Sequence, residues 1–525
     1  MDFRDNNWLT GVLEKTPVPS FLFILAWRLV NALTIRTFFQ ADEYWQVLEP
    51  AHKAIFGYGY LTWEWDYGLR SYLHPLLYML PYWITKSLNL DPDTEYAYVL
   101  IGPRIVNALV SSIGDYYLYH LINKKLNDKK LAKLVSYMSL LSAWNWYCWC
   151  RSFANSIELS LTIVSLYYLN CNQVLRCLVI SAISCLIRPT NAIVWLYYLL
   201  PVFWKRPIYI FFAIIIGSFI IGLDSVLNCT FYSTWKVPLW SFFKFNISDS
   251  LSSFYGTSRL DFYFFQAIPI LLLNYLPFFI NGVIYTSIPD FSGLLIIYIL
   301  VFTLIPHKEF RFIYPMMPVL ITYSAYGLLN ISTKVSNKVM KLIIILTILT
   351  SSLLSYYFTQ IHEIGELQLP IVIRQHIINE NNDNTISIGF LTPCHSTPFQ
   401  SHFHLSEERV NIWFLTCEPP LPSNILLGST VDTYMDESDY FYENPLLFLQ
   451  SNFPALNGSS DIPIDSVWPH DWPQYIVMFE TLWKNENSHV KEYIEKEYNI
   501  VEKLWNAPGH WDSRREGNLL ILKRN

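Results

Sequence analysis

The sequence predicts a mostly α-helical polytopic membrane protein of about eleven transmembrane helices, followed by a C-terminal lumenal α/β domain. Three observations carry that expectation. The 525-residue chain is 52% hydrophobic and only 15% charged, where an ordinary soluble protein is about 25% charged. Its long apolar runs fall almost entirely within residues 1–360. Residues 361–525 are dense in Asp, Glu, Asn, Pro and Trp and hold no run of the roughly 20 apolar residues that a spanning helix needs. A net charge of −6 argues against a general nucleic-acid surface.

Taken in order, residues 1–19 read as a cytosolic N-terminus. No small-residue cleavage site follows the first apolar run, so that run is expected to stay as a signal-anchor. The expected spans are about 20–38, 100–122, 131–147, 154–170, 174–187, 190–203, 207–228, 264–287, 291–305, 312–330 and 339–358. One more apolar stretch, "YLHPLLYMLPYWITKSL" (72–88), carries two prolines, a His and a Lys. Proline removes a helix hydrogen bond and kinks the chain, so this stretch is expected to lie at the interface or re-enter it. With that choice the basic connectors "NKKLNDKK" (123–130), "WKRP" (204–207) and "STKVSNKVMK" (332–341) all face the cytosol, as the positive-inside rule asks. The loops 39–99 and 229–263, the connector "PHKEFR" (306–311) and the tail 359–525 then share the lumenal side. The sequons at Asn228, Asn246 and Asn457 fall there and are expected to be glycosylated, whereas Asn330 sits at a cytosolic span end.

Eight cysteines are present, none in a CxxC pair of the kind that binds zinc. In a lumenal tail Cys394 and Cys417 suit a disulfide; two free thiols are the equal alternative.

The candidate chemistry starts at "FFQADEYWQVLEP" (38–50), where Asp42 and Glu43 follow an apolar run and stand among aromatics. A carboxylate held at a membrane rim loses hydration, which raises its pKa toward general-base range. The plainer reading is a solvated helix start, where acidic residues are favoured. The stretch that follows, "AHKAIFGYGYLTWEWDYGLRSYLHP" (51–75), gathers Trp63, Glu64, Trp65, Arg70 and His74. Aromatic faces beside carboxylates and Arg suit a sugar, whose rings stack and whose hydroxyls need hydrogen bonds. Far along the chain, "PHKEFRF" (306–312) supplies His307, Lys308 and Arg311, and "CLIRPTN" (185–191) supplies Arg188. Such cations suit a phosphate; for residues 306–312 the alternative is snorkelling at a span end, which the positive-inside rule disfavours on this side, and for Arg188 a helix-end cap is the equal alternative. A base, a sugar shelf and a cationic clamp at one membrane face fit the transfer of a sugar from a lipid phosphate, with inversion at the sugar carbon. The different-class alternative, a lipid or ion transporter, would place its charges at mid-membrane and show half-to-half symmetry; neither is visible.

The motifs "ADEYWQ" (41–46), "FGYGYLTWEWDYGLRSYLHP" (56–75) and "PHKEFRFIYPMMP" (306–318) resemble the dolichyl-phosphate-mannose-dependent α-mannosyltransferases of glycosyltransferase family 22, which have the GT-C fold. The tail stretches "LTPCHSTPFQSHFH" (391–404), "FLTCEPP" (414–420), "DESDYFYENP" (436–445) and "GHWDSRREGNLLIL" (509–522) resemble the branch of that family that adds the third mannose of the glycosylphosphatidylinositol (GPI) precursor. The resemblance implies a multi-pass endoplasmic reticulum enzyme with a GT-C domain at 20–358 and a lumenal domain at 359–525. It implies dolichyl-phosphate mannose as donor, a GPI-precursor glycolipid as acceptor, an α-1,2 link, and no metal or other cofactor. Carried over by position, Asp42 is the base and Glu43 its neighbour in the acceptor site, while His307, Lys308, Glu309 and Arg311 fall on the second motif, with Glu309 on the acceptor side. Many members carry a His ahead of the acidic pair, where this chain has Phe38, Phe39 and Gln40. Sister activities, on N-glycan precursors or the fourth GPI mannose, are the nearest alternatives.

Overall fold

The computed structural model describes residues 8–248, 251–379, 385–421, 434–456 and 461–525. It divides into two compact units: Met1–Ile35 with Glu64–Tyr357, and Arg36–Trp63 with Phe358–Asn525.

The first unit is helical. Each of the eleven apolar stretches expected from the sequence is helical over most of its length. Among the described residues, five helices are long and apolar enough to cross a membrane: Pro92–Leu126, Ile208–Tyr232, Tyr263–Tyr285, Phe310–Ser332 and Asn337–Asn379. Phe21–Thr34, Val174–Ile187 and Pro289–Leu304 are apolar but shorter. The shortening has local causes. The run 131–147 breaks at Ser142, which ends the helix Lys129–Leu141 and caps the next by accepting from the Asn145 N–H. Asp91 caps Pro92–Leu126 in the same manner, with Pro92 at the first turn where its missing N–H costs nothing.

Two contacts illustrate how these helices pack. Gly282 and Gly327 let two backbones touch: a Cβ on Gly282 would stand 1.9 Å from the Tyr323 carbonyl oxygen, and one on Gly327 would stand 1.8 Å from that of Phe278. Apolar helices that gain nothing from leaving lipid associate through such small residues. Elsewhere Arg28 and Asp115 form a fully buried ion pair at 2.7 Å, completed by the Ser139 hydroxyl donating to Asp115 and by Arg28 donating to the Asn145 carbonyl. A buried charge pair persists only when its remaining hydrogen-bond capacity is filled, and here it joins Phe21–Thr34 to Pro92–Leu126.

The second unit is built on a five-stranded mixed sheet of order β2-β1-β3-β5-β4, with β1 Ile386–Leu391, β2 Val410–Phe414, β3 Tyr475–Phe479, β4 Tyr498–Ala507 and β5 Gly517–Arg524. β1 is parallel to β2 and β3, and β5 is antiparallel to β3 and β4. The central β3 is buried along its whole length, while the edge strand β4 has buried and exposed residues interleaved. That is the pattern of a sheet covered on both faces at its middle and wetted at its rim. Phe441, Phe448 and Leu449 pack with Ile476, Met478, Leu520 and Leu522 in one apolar cluster. The helix Ile364–Asn379 packs against β4 and β5.

The segment Arg36–Trp63, expected from the sequence to belong with the helical domain, is part of this second unit. The reason is explicit bonding over long sequence distances. The Arg36 N–H donates to the Thr359 carbonyl and the Phe38 N–H to the Glu363 carbonyl, each at 2.9 Å.

Candidate functional site

Two clusters of chemistry emerge, one in each unit. In the first unit, the connector 305–309 and the start of Phe310–Met316 bring His307, Lys308, Glu309 and Arg311 together. Arg311 donates from Nε and Nη2 to the two Glu309 oxygens at 2.6 and 2.7 Å, and His307 Nε2 lies 3.3 Å from the same carboxylate. Burial opposes the Glu309 charge, but Arg311 and His307 outweigh it and hold the carboxyl well below the usual range. The reciprocal pull of Glu309 raises His307 despite its burial. Lys308 is buried and donates to the Ser258 carbonyl at 3.0 Å.

Arg188 ends the helix Val174–Ile187 and joins this group. Its guanidinium and that of Arg311 both stand over the Phe312 ring, at 5.4 and 5.9 Å, and Arg188 feels the positive charges of Arg311 and Arg70. Each arginine has a carboxylate of its own. Arg188 pairs with Glu158 at 3.4 Å, and Arg70 with Glu64 through Nε and Nη2 at 3.2 and 2.7 Å. The Arg70 carbonyl accepts from the Tyr232 hydroxyl at 2.7 Å, and Ser71 donates to Asp224. One face of Ile208–Tyr232 therefore fixes the loop that carries Arg70. Three guanidinium groups, oriented by three glutamates and sharing one site, can receive a diphosphate or phosphodiester oxygen set through planar, paired N–H donors. Glu309 thus orients the clamp in this geometry, a part that its expected place on the acceptor side did not include.

The aromatic shelf expected at 63–65 is corrected by the structure. Trp65 is fully buried and packs on Tyr72 and Tyr232 at 4.6 and 6.3 Å between ring centres, so it offers no face to a sugar. Trp63 is buried as well. His74 is buried near Tyr78, and burial pushes it down to about 3, which keeps it neutral.

In the second unit, Asp42 is half-buried and Glu43 buried. They lead into a π-type turn, Tyr44–Leu48, that runs on into the helix Glu49–Phe56. Such turns shift side-chain register and recur at functional sites. Phe38 stacks on Tyr44 at 5.3 Å and carries the Arg515 guanidinium above it at 5.5 Å. The tail segment 395–401 lines the same helix. The Trp45 ring meets His395 at 4.5 Å and its Nε1–H donates to the Thr397 carbonyl at 3.0 Å, while Glu49 accepts from the Phe399 and Ser401 N–H groups. Cys394 and Cys417 are joined as a disulfide at the root of that segment, with Cα atoms 5.8 Å apart. The reading of the sequence did not assign His395 to the site. The one available hint was its place in "CHSTP", between a bonded cysteine and a turn.

Of the three sequons, Asn228 is withdrawn as a glycan site: it is fully buried, accepts from the Tyr72 N–H and donates to Asp224. Asn246 is half-buried and donates to the Phe242 carbonyl, and Asn457 lies outside the described residues.

Residues 20–404 match the model of the Alg9-like mannosyltransferase family. The chain is 36% identical, over 98% of its length and 93% of the relative's, to GPI mannosyltransferase 3 of Debaryomyces hansenii. It is 38% identical, over 96% of its length and 98% of the relative's, to GPI mannosyltransferase 3 of Candida albicans. In fold it is similar to the crystal structure of ArnT from Cupriavidus metallidurans bound to undecaprenyl phosphate, with a TM-score of 0.55 over 95% of this chain and 97% of that one, at 10% identity.

Proposed function

Since the chain belongs to the Alg9-like mannosyltransferase family, we propose that it adds the third mannose of the GPI-anchor precursor, through an α-1,2 link, from dolichyl-phosphate mannose at the lumenal face of the endoplasmic reticulum. It is a mannosyltransferase of GPI-anchor biosynthesis and a multi-pass membrane protein of the GT-C fold. The third-mannose reading follows the relatives named above, whose lengths the chain matches nearly end to end. The topology is the eleven-span one, with the tail 359–525 lumenal.

One observation carries the donor reading: Arg188 and Arg311 share the Phe312 ring, within electrostatic reach of Arg70. A lipid phosphate leaving a sugar gains charge as the bond breaks. Guanidinium groups already oriented by Glu158, Glu309 and Glu64 stabilise that charge without reorganising. Asp42 takes the proton from the attacking hydroxyl of the second mannose, and Glu43 stands beside it in the acceptor site. The hydroxyl oxygen bonds to the sugar carbon as the phosphate departs with the electron pair, so a single displacement inverts that carbon. The phosphate is a stable anion, and the scheme invokes no metal.

The test is transfer in vitro from labelled dolichyl-phosphate mannose to a defined two-mannose GPI precursor. A three-mannose product sensitive to α-1,2-mannosidase is expected. Transfer instead to a dolichol-linked N-glycan precursor, or to a three-mannose GPI acceptor, would assign the sister activity.

A further inference from the structure

Beside the donor clamp, a buried polar cluster is organised around an amide that the mechanism above does not use. The Arg188 guanidinium meets the Glu158 carboxylate at 3.4 Å, and both are bonded to Asn191, which closes the motif "CLIRPTN" (185–191). The Asn191 side chain is fully buried. Its Nδ2 donates to Glu158 Oε1 at 2.9 Å and to the Thr162 hydroxyl at 3.0 Å, and its own backbone N–H donates to the Arg188 carbonyl at 2.9 Å. We propose that Asn191 is a positioning residue for donor binding: by holding the Glu158 carboxylate and the Arg188 main chain together, it aims the Arg188 guanidinium at the phosphate of the lipid-linked sugar. The proposal rests on Arg188 belonging to the donor clamp.

The local sequence explains why Asn191 reaches both partners. Pro189 disfavours the helical conformation at the residue before it, so the helix Val174–Ile187 stops and Arg188 is extended, at φ −138° and ψ 103°. The chain then turns through Pro189–Asn191 into the helix Ala192–Lys205. From that helix Trp195 donates its Nε1–H to Asn191 Oδ1 at 2.6 Å. An indole nitrogen can only donate, so the atom it meets is the amide oxygen, and the amide NH2 faces Glu158 and Thr162. One side chain thereby joins three helices: Glu158 and Thr162 stand on Ala154–Asn170, Arg188 ends Val174–Ile187, and Trp195 belongs to Ala192–Lys205.

Glu158 is held on both oxygens. Asn191 occupies Oε1, while the Asn155 amide, at 3.1 Å, and Arg188 Nε share Oε2. The Arg188 contact is longer than the 2.6 and 2.7 Å bonds from Arg311 to Glu309, and among the described residues the buried Arg188 Nε makes no hydrogen bond. The guanidinium is attracted to Glu158 without being saturated by it, which leaves donor capacity for an anionic ligand. Removing the Asn191 amide would free Oε1, and a carboxylate with two free edges pairs with a guanidinium through both. Arg188 would then close on its own carboxylate in place of the phosphate.

The experiment measures donor and acceptor KM for the full-length wild type, Asn191→Ala, Arg188→Ala and the double variant. Asn191→Ala is expected to raise donor KM about tenfold, with acceptor KM held within about twofold. Arg188→Ala is expected to raise donor KM at least as much. In the Arg188→Ala background, Asn191→Ala is expected to change donor KM by less than about twofold, because a residue that acts through Arg188 then has nothing to aim. A wild-type donor KM in Asn191→Ala overturns the proposal. So does an equal loss that persists without Arg188, which is what a purely structural role produces. Should Asn191→Ala fail to accumulate, the same cycle with Asn191→Asp decides, since that side chain keeps the oxygen that Trp195 meets and loses the Nδ2 donors. A donor KM unchanged in Arg188→Ala would instead take Arg188 out of the clamp, a separate failure.

Discussion

The carboxylate of Glu49 and the hydroxyl of Ser401 meet at 2.6 Å across 352 positions of sequence. The Ser401 and Phe399 N–H groups donate to the same carboxylate. Glu49 is thus the joint between the acidic-motif helix and the tail segment that carries His395.

That joint predicts a pH dependence. Burial raises the Glu49 carboxyl from 4.5 to about 7, against the lowering effect of its hydrogen bonds. The folded state therefore holds a proton that the unfolded state has lost between those values. The contribution is fully present below about 4.5 and is lost as pH rises through about 7. The gap is worth on the order of 3 kcal/mol. The melting temperature of the wild type in detergent is expected to carry a falling component between pH 5 and 8 that Glu49→Gln lacks. Parallel pH profiles for the two would show that Glu49 is not the titrating group.

The clamp predicts a kinetic split. Arg311→Ala removes a guanidinium whose charged hydrogen bonds are each worth about 1.5–3 kcal/mol, so donor KM is expected to rise about tenfold or more. Arg311→Lys is not expected to restore it, because an ammonium lacks the planar fork. Glu309→Gln should weaken donor use by less, since it loosens the fork but keeps the cation. A donor KM unchanged in Arg311→Ala would take Arg311 out of the phosphate site.

Trp65 tests core against shelf. It is fully buried, and Trp65→Ala is expected to cost about 3–5 kcal/mol of stability. The signature is a lower melting temperature, with acceptor KM unchanged in the protein that remains folded. A raised acceptor KM at an unchanged melting temperature would return Trp65 to the sugar site.

Thr230→Ala removes the sequon at Asn228 and leaves the Asn228 side chain and its bonds to Tyr72 and Asp224 in place. Its electrophoretic mobility, with and without glycosidase, should equal that of the wild type. A faster-migrating variant would demonstrate a glycan on Asn228.

Much of the helical unit was legible from local chemistry. The apolar runs were read from neighbours within one or two turns, whereas the break at Ser142 inside the expected span 131–147 and the helix start at Asp91–Pro92, ahead of the expected span 100–122, came from the structure. The motif around Glu309 was legible for the same reason: residues 307–311 are close in space because they are close in the chain. The eleven runs outnumber the helices long enough to cross by themselves, because hydropathy marks apolar content and does not register a cap that stops a helix after three turns.

What the order of residues settled on its own was therefore composition, helix periodicity and the short motifs that mark the family. Folding in three dimensions settled the rest. It assigned Arg36–Trp63 to the sheet-bearing unit, turned Trp65 and Asn228 inward, gathered Arg70, Arg188 and Arg311 around one site, and set His395 beside the acidic motif. Each of these depends on surfaces brought together from far along the chain, and the free energy of burial belongs to the pair of surfaces that meet. Neither sequence alone contains the identity of its partner.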